Sequence, residues 1–194
     1  MTDAAPPDGK SPSKVPLTAI TMSVVLALDV VTKQWIVDNM PLYSQRNVWG
    51  DFFRFTYTHN PGAAFGIDIG EHSRIFFLVL SLIALGVLFS IYRQTPAWDR
   101  LRVLALSLVA GGALGNILDR IRYEAGVVDF LDFGIGTSRF AVFNIADSAV
   151  TVGAALLLIS FWLEGRRERE AEKAAEAEGS SGGLGRRAEP EPAD

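Results

Sequence analysis

The chain has 194 residues, 49% of them hydrophobic, and a formal net charge of −4. It contains no cysteine, which excludes disulfides, thiolate nucleophiles and cysteine-bound metal; its two histidines, His59 and His72, lack the HExxH spacing of zinc proteases. No basic patch points to nucleic acid, and −3 of the charge belongs to residues 164–194, which hold nine acidic and six basic residues.

Residues 1–14 (MTDAAPPDGKSPSK) have no apolar period and are predicted to be a disordered tail. Apolar runs then follow near 15–34, 74–92, 102–119 and 141–163. Each is close to the roughly 20 helical residues that cross a hydrocarbon core of about 30 Å. The first follows Lys10 and Lys14 as a signal peptide would, but it runs on to Trp35 and Ile36, carries Asp29 and lacks a small-x-small cleavage site, so it reads as a retained span. The second, IFFLVLSLIALGVLFSIY, has no charge at all. A soluble protein burying four such helices would need amphipathic helices to cover them, and the chain has no such set.

The segments between the spans carry their own patterns. In NVWGDFFRFTYT (47–58) the stretch FRFTYT alternates and is rich in aromatic and β-branched residues, which predicts a strand; NPGAAFG (60–66) reads as a turn followed by small residues. VVDFLDF (127–133) reads as a second short strand. The predicted architecture is an all-α polytopic membrane protein, four transmembrane helices with a small extracytoplasmic β-rich platform whose aromatic residues meet the interface. The helical domain spans 15–163, and 164–194 forms a charged tail, helix-prone at first (EGRREREAEKAAEAE) and then flexible. No internal repeat is evident, which argues against an inverted-repeat transporter. Four spans put both termini on one side. Lys10, Lys14, Arg93, Arg100, Arg102, Arg166, Arg167 and Arg169 flank the spans there, so the positive-inside rule places the termini in the cytoplasm and the two long loops outside.

Asp29, Lys33, Asn116, Asp119, Arg120, Asn144 and Asp147 all fall toward the predicted outer ends of spans. A charge at mid-bilayer costs about 2.5–3.5 kcal/mol on insertion scales, so this gathering at one level needs an explanation. Asp29 and Lys33 stand at i and i+4 in the favourable order for a helical ion pair. Gly111, Gly112 and Gly115 allow close approach of another helix, with Asn116 and Arg120 sharing one face beyond them; the bland reading of that stretch is a packing helix with a snorkelling arginine. Asp119 beside Arg120 reads as a paired, structural carboxylate. Asn144 is a candidate helix cap, which leaves Asp147 unexplained. On a strand, Asp129 and Asp132 face opposite ways, and the period alone leaves open which one looks toward Asp147. The Gly-rich turn GIGTS lets the chain return and set Asp129 beside Asp147. Two adjacent carboxylates cannot easily both ionise, so one acid and one carboxylate coexist near neutral pH, which is the chemistry of an aspartic peptidase.

The stretches DVVTK (29–33), NPGAAFG (60–66), GGALGNILDR (111–120), VVDF (127–130) and FNIADS (143–148) resemble, in order, the motifs of the lipoprotein signal peptidases, or signal peptidase II. The resemblance covers about residues 15–163. It implies four transmembrane helices, an extracytoplasmic β-rich platform, and cleavage of diacylglyceryl-modified prolipoproteins just before the lipid-modified cysteine in the bacterial inner membrane. It implies an aspartyl dyad of Asp129 and Asp147 in preference to Asp132 or Asp119. Asn60, Gly62, Asn116, Arg120 and Asn144 are then substrate-binding or dyad-supporting residues, and Asp29 with Lys33 holds the site's geometry. No metal or other cofactor is expected, and the expected state is a monomer. The rival readings are a non-enzymatic membrane scaffold or small transporter with polar residues joining helices, a Mg²⁺-dependent head-group transferase, and a Ser–Lys peptidase using Lys33.

Overall fold

The computed structural model describes residues 13–62 and 70–184. Most of the tail expected at 1–14, residues 63–66 of the predicted turn, and 185–194 lie outside the described residues. The chain divides into two compact units, Met1–Leu157 and Leu158–Asp194, with the boundary inside the last helix.

Among the described residues four helices are long and apolar enough to cross a membrane: α1 (Val15–Asn39), α2 (Ser73–Gln94), α3 (Arg100–Arg122) and α4 (Ile145–Leu184). Their packing is inverted relative to a soluble bundle. Ile20, Val24, Leu28 and Val31 of α1 and most of the apolar side chains of α2 are exposed. The buried stripe of α1 is Val25, Asp29, Lys33 and Ile36, one residue per turn. A lipid-facing helix shows this arrangement, with apolar groups toward hydrocarbon and polar groups toward the protein. Helix α3 is the central one, burying Val103, Leu106, Gly111, Gly112, Gly115, Ile117 and Asp119. A Cβ on Gly112 would strike the Ala146 carbonyl of α4, and one on Gly115 would strike the Asp29 carboxylate of α1. The glycine run therefore sets how closely α1 and α4 approach α3. Asp99 caps α3, its Oδ1 accepting from Arg102 N at 3.0 Å.

Between the helices lies one antiparallel sheet of β1 (Gln45–Trp49), β2 (Phe53–Asn60), β3 (Val127–Ile135) and β4 (Ser138–Arg139), in that order. Both predicted strands are present. The β2–β3 register pairs Thr58 with Asp129 and Asn60 with Val127, after an irregularity between Phe55 and Thr58. Val128 and Phe130 pack with Tyr57 against Ile36 of α1 and Met40 just beyond its end, fixing the sheet to that helix. The fourth helix begins at Ile145, later than the predicted 141. Phe143 is not free to join it, because its N–H donates to Leu131 O at 3.1 Å and its carbonyl accepts from Phe130 N and Leu131 N.

In the second unit α4 continues to Leu184, so the charged stretch 164–178 is helical. Arg166 pairs with Glu170 at 2.9 Å and lies over the Trp162 ring.

Candidate active site

The N-terminus of α4 is where the site is assembled. Asn144 is its cap: Asp147 N–H donates to Asn144 Oδ1 at 2.8 Å, and Asn144 N–H donates back to Asp147 Oδ2 at 3.3 Å. This is a capping box written with Asn and Asp, satisfying two donors that a helix start leaves free. The cap thus accounts for the backbone role of both residues. Their remaining polar groups point elsewhere. Asn144 Nδ2 donates to Asp129 Oδ1 at 2.7 Å, and Asn116 Nδ2 donates to Asp147 Oδ1 at 2.7 Å. Asn144, fully buried, therefore touches both carboxylates, one through its amide and one through its backbone and cap. Asn60, at the end of β2, hydrogen-bonds Asp129 from the other side, and its Oδ1 accepts from Gly62 N at 2.9 Å.

Behind Asp129 and Asp147 sits a buried ammonium. Lys33 Nζ reaches Asp29 Oδ2 at 2.7 Å, Asp119 Oδ2 at 2.9 Å and Asn116 Oδ1 at 3.1 Å. Its three donors are matched by three acceptors, as a buried charge requires. Each acceptor fixes something further. Asp29 Oδ1 accepts from Ala146 N at 2.9 Å, tying α1 to the start of α4. Asp119 Oδ2 accepts from Val128 N at 3.0 Å, tying α3 to the residue before Asp129. Asn116 has its oxygen turned to Lys33 and Asn144, which leaves its NH₂ to face Asp147. The i, i+4 pair Asp29–Lys33 is present as the spacing predicts. Asp119 is paired too, but with Lys33 and a strand N–H rather than with adjacent Arg120. Neighbours in sequence on a helix point about 100° apart, whereas Asn116 and Asp119, three apart, share the face toward Lys33. That i, i+3 relation was the signal available in the sequence.

Arg120 donates from Nη1 to Asn116 O at 3.3 Å, lies 5.9 Å from the Phe77 ring centroid, and interacts electrostatically with Asp147 and Asp129. Its buried Nε has no hydrogen-bond partner among the described residues. Phe77, which nothing in the apolar run of α2 distinguishes by sequence, also faces Gly62. With φ of +123° and the ring against it, Gly62 has neither the backbone nor the space for a side chain.

Asp129 and Asp132 occupy different worlds, as their odd spacing demands. Asp132 is held by Arg54 Nε at 2.5 Å, Thr56 Oγ1 at 2.6 Å and Arg139 Nε at 2.6 Å, all from the sheet. Burial pulls its carboxyl upward, but these hydrogen bonds outweigh burial and hold it below the usual carboxylate value. Asp129 is only 2% exposed. Burial first, and the Asp147 charge second, push it up to about 7, against the downward pull of Asn60, Asn144 and Lys33. Half-buried Asp147 lies on the same Asn144. The arrangement can hold one proton on Asp129 beside a carboxylate on Asp147, an acid and a base side by side. Among the described residues, no three His, Cys, Asp or Glu converge as a metal-binding group.

Residues 21–163 match the sequence model of the family described as Signal peptidase (SPase) II. The chain is similar to the lipoprotein signal peptidase of Maridesulfovibrio salexigens, with 39% identity over 75% of this chain and 95% of that protein. It is likewise similar to the one from Desulfitobacterium hafniense, with 42% identity over 79% and 97%. Two solved structures, each described as a bacterial membrane enzyme determined by the in meso method, superpose with TM-scores of 0.72 and 0.69. The first, at 2.3 Å resolution, is 31% identical and covers 80% of this chain and 93% of its own. The second, at 1.9 Å, is 33% identical over 78% and 96%.

Proposed function

This chain belongs to the signal peptidase II family and is a multi-pass membrane peptidase of prolipoproteins, and from that premise we propose that Asp129 and Asp147 are its catalytic pair. The observation that carries the assignment is Asn144, which bonds Asp129 with its amide at 2.7 Å and shares a capping box with Asp147. The substrate is a prolipoprotein with a diacylglyceryl-modified cysteine, and the bond hydrolysed is the one before that cysteine. A scaffold or transporter function is not favoured by the relatives.

In the proposed reaction the Asp147 carboxylate takes a proton from water as the water oxygen bonds to the scissile carbonyl carbon. Protonated Asp129 gives its proton to the carbonyl oxygen, leaving a neutral tetrahedral diol. When the C–N bond breaks, Asp147 returns its proton to the departing amine, and a diol hydroxyl gives its proton to Asp129. Both carboxyls end as they began. Asn116 and Asn144 hold the pair, and Arg120, whose buried Nε–H has no partner among the described residues, supplies positive charge where the carbonyl oxygen gains negative charge.

The site sits at the last turns of α1 and α3 and the first of α4, beside the sheet, while Lys14, Arg93, Arg100 and Arg102 mark the opposite helix ends. That supports a dyad at the outer face of the cytoplasmic membrane, with the sheet outside and the termini inside. There the scissile bond of a lipid-anchored substrate emerges from hydrocarbon and water is at hand.

The test is cleavage of a diacylglyceryl-modified prolipoprotein by purified protein in detergent, read by gel shift with and without EDTA. Wild type should cleave in both. Folded Asp129→Asn and Asp147→Asn should each be slower by about 10²–10⁴-fold. Normal cleavage by either variant removes that aspartate from the assignment, and loss of wild-type activity in EDTA removes the metal-free reaction.

A further inference from the structure

A second site of different chemistry lies at the helix ends remote from the dyad. A groove of about 470 Å³ opens between the start of α1, the start of α3 and the 95–99 loop. Its walls are Pro16, Leu17, Leu101 and Leu104, and its rim is Lys14 and Arg100. The charges of this rim are unequally engaged. Lys14 Nζ donates to the carbonyls of Tyr92, Arg93 and Thr95 at the end of α2 and lies 4.4 Å above the Tyr92 ring, so its hydrogens are committed while its charge remains. Asp99, the acid of this loop, accepts from Arg102 N with Oδ1 at 3.0 Å and pairs with Arg102 Nε through Oδ2 at 3.3 Å. Arg100 is exposed and has no acidic partner among the described residues. Exposed Trp98 stands beside it, a residue type that settles at the headgroup level of a bilayer.

An apolar trough that ends in cations without an acidic partner among the described residues, at the end of two membrane helices, has the chemistry to hold an anionic amphiphile. We propose that this groove binds one anionic phospholipid, with the phosphate on Arg100 and the acyl chains along Leu17, Leu101 and Leu104. The alternative occupant with an apolar body, a substrate's signal helix, carries a positive N-terminal region and would meet repulsion here. Free phosphate has nothing to place in the trough. The bound lipid would join the starts of α1 and α3, which makes the site a stabilising one distinct from the dyad.

The experiment is thermal unfolding of the delipidated full-length chain in neutral detergent, with native mass spectrometry counting retained lipid. Saturating phosphatidylglycerol should raise the wild-type Tm by about 5 °C and leave one lipid bound. Phosphatidylcholine and inorganic phosphate should do neither. Arg100→Gln should keep the basal Tm and the peptidase activity yet lose most of the phosphatidylglycerol shift, Arg100→Lys should keep most of it, and Arg46→Gln, on β1, should behave as wild type. An equal shift with phosphatidylcholine would overturn the proposal, as would an undiminished phosphatidylglycerol shift in Arg100→Gln. So would a shift produced by phosphate alone.

Discussion

Asp129 is buried among groups that pull its proton both ways, and burial with the Asp147 charge prevails, raising it to about 7. Because the proposed acid is the protonated form, kcat/KM should decline as pH rises through about 7, and a profile whose alkaline limb fell near the ordinary carboxylate range would remove Asp129 from that role. The same shift acts on stability. Between about pH 4 and pH 7 the folded chain keeps this proton while the unfolded chain has lost it, so stability falls with rising pH across that window and levels off above it. For a group this buried the loss is on the order of a few kcal/mol. Asp129→Asn cannot ionise and should flatten this dependence, measured as Tm against pH in detergent, at the same time as it slows cleavage.

Asn144 works on two elements at once, and the two roles can be separated. Asn144→Ala removes the cap of α4 and the amide to Asp129, and should cost about 0.5–2 kcal/mol of stability together with activity. Asn144→Ser restores a capping hydroxyl without the amide, so Tm should recover while cleavage stays low. Recovery of both would mean that Asn144 serves the helix alone. Lys33 joins α1 to α3 through Asp119 and Asn116 and pairs with Asp29 on its own helix. Lys33→Met leaves two buried carboxylates without their cation and should cost about 3–5 kcal/mol, seen as loss of folded protein on solubilisation. Gly112→Val should act similarly by driving α4 off α3, since the position faces the Ala146 carbonyl.

At the scale of the whole molecule the proposed orientation makes a labelling pattern. The chain has no cysteine, so single cysteines can be introduced without background. Ser13→Cys precedes the first span and Ser138→Cys lies in the sheet; both positions are exposed. In intact spheroplasts a membrane-impermeant maleimide should label the second and reach the first only after permeabilisation. The reverse pattern would place the sheet, and the dyad beside it, on the cytoplasmic side.

The sequence by itself determined the four helices, because hydrocarbon satisfies no backbone group and an apolar run of about 20 residues has no alternative to a helix there. It also determined what lies within one element: the alternation of β2, the Asp29–Lys33 spacing, the cap at Asn144, and that Asp129 and Asp132 must look in opposite directions. Tertiary structure decided which direction was which. Arg54, Thr56 and Arg139 enclose Asp132, while Asn60 and Asn144 enclose Asp129, and those partners come from other strands and helices. It decided that Asp119 answers to Lys33 rather than to Arg120, and that α4 starts at Ile145 because the sheet already holds Phe143. Periodicity fixes relations among neighbours on one element, whereas the partner of a buried charge is set by which faces pack together, and that is a property of the assembled helices and sheet.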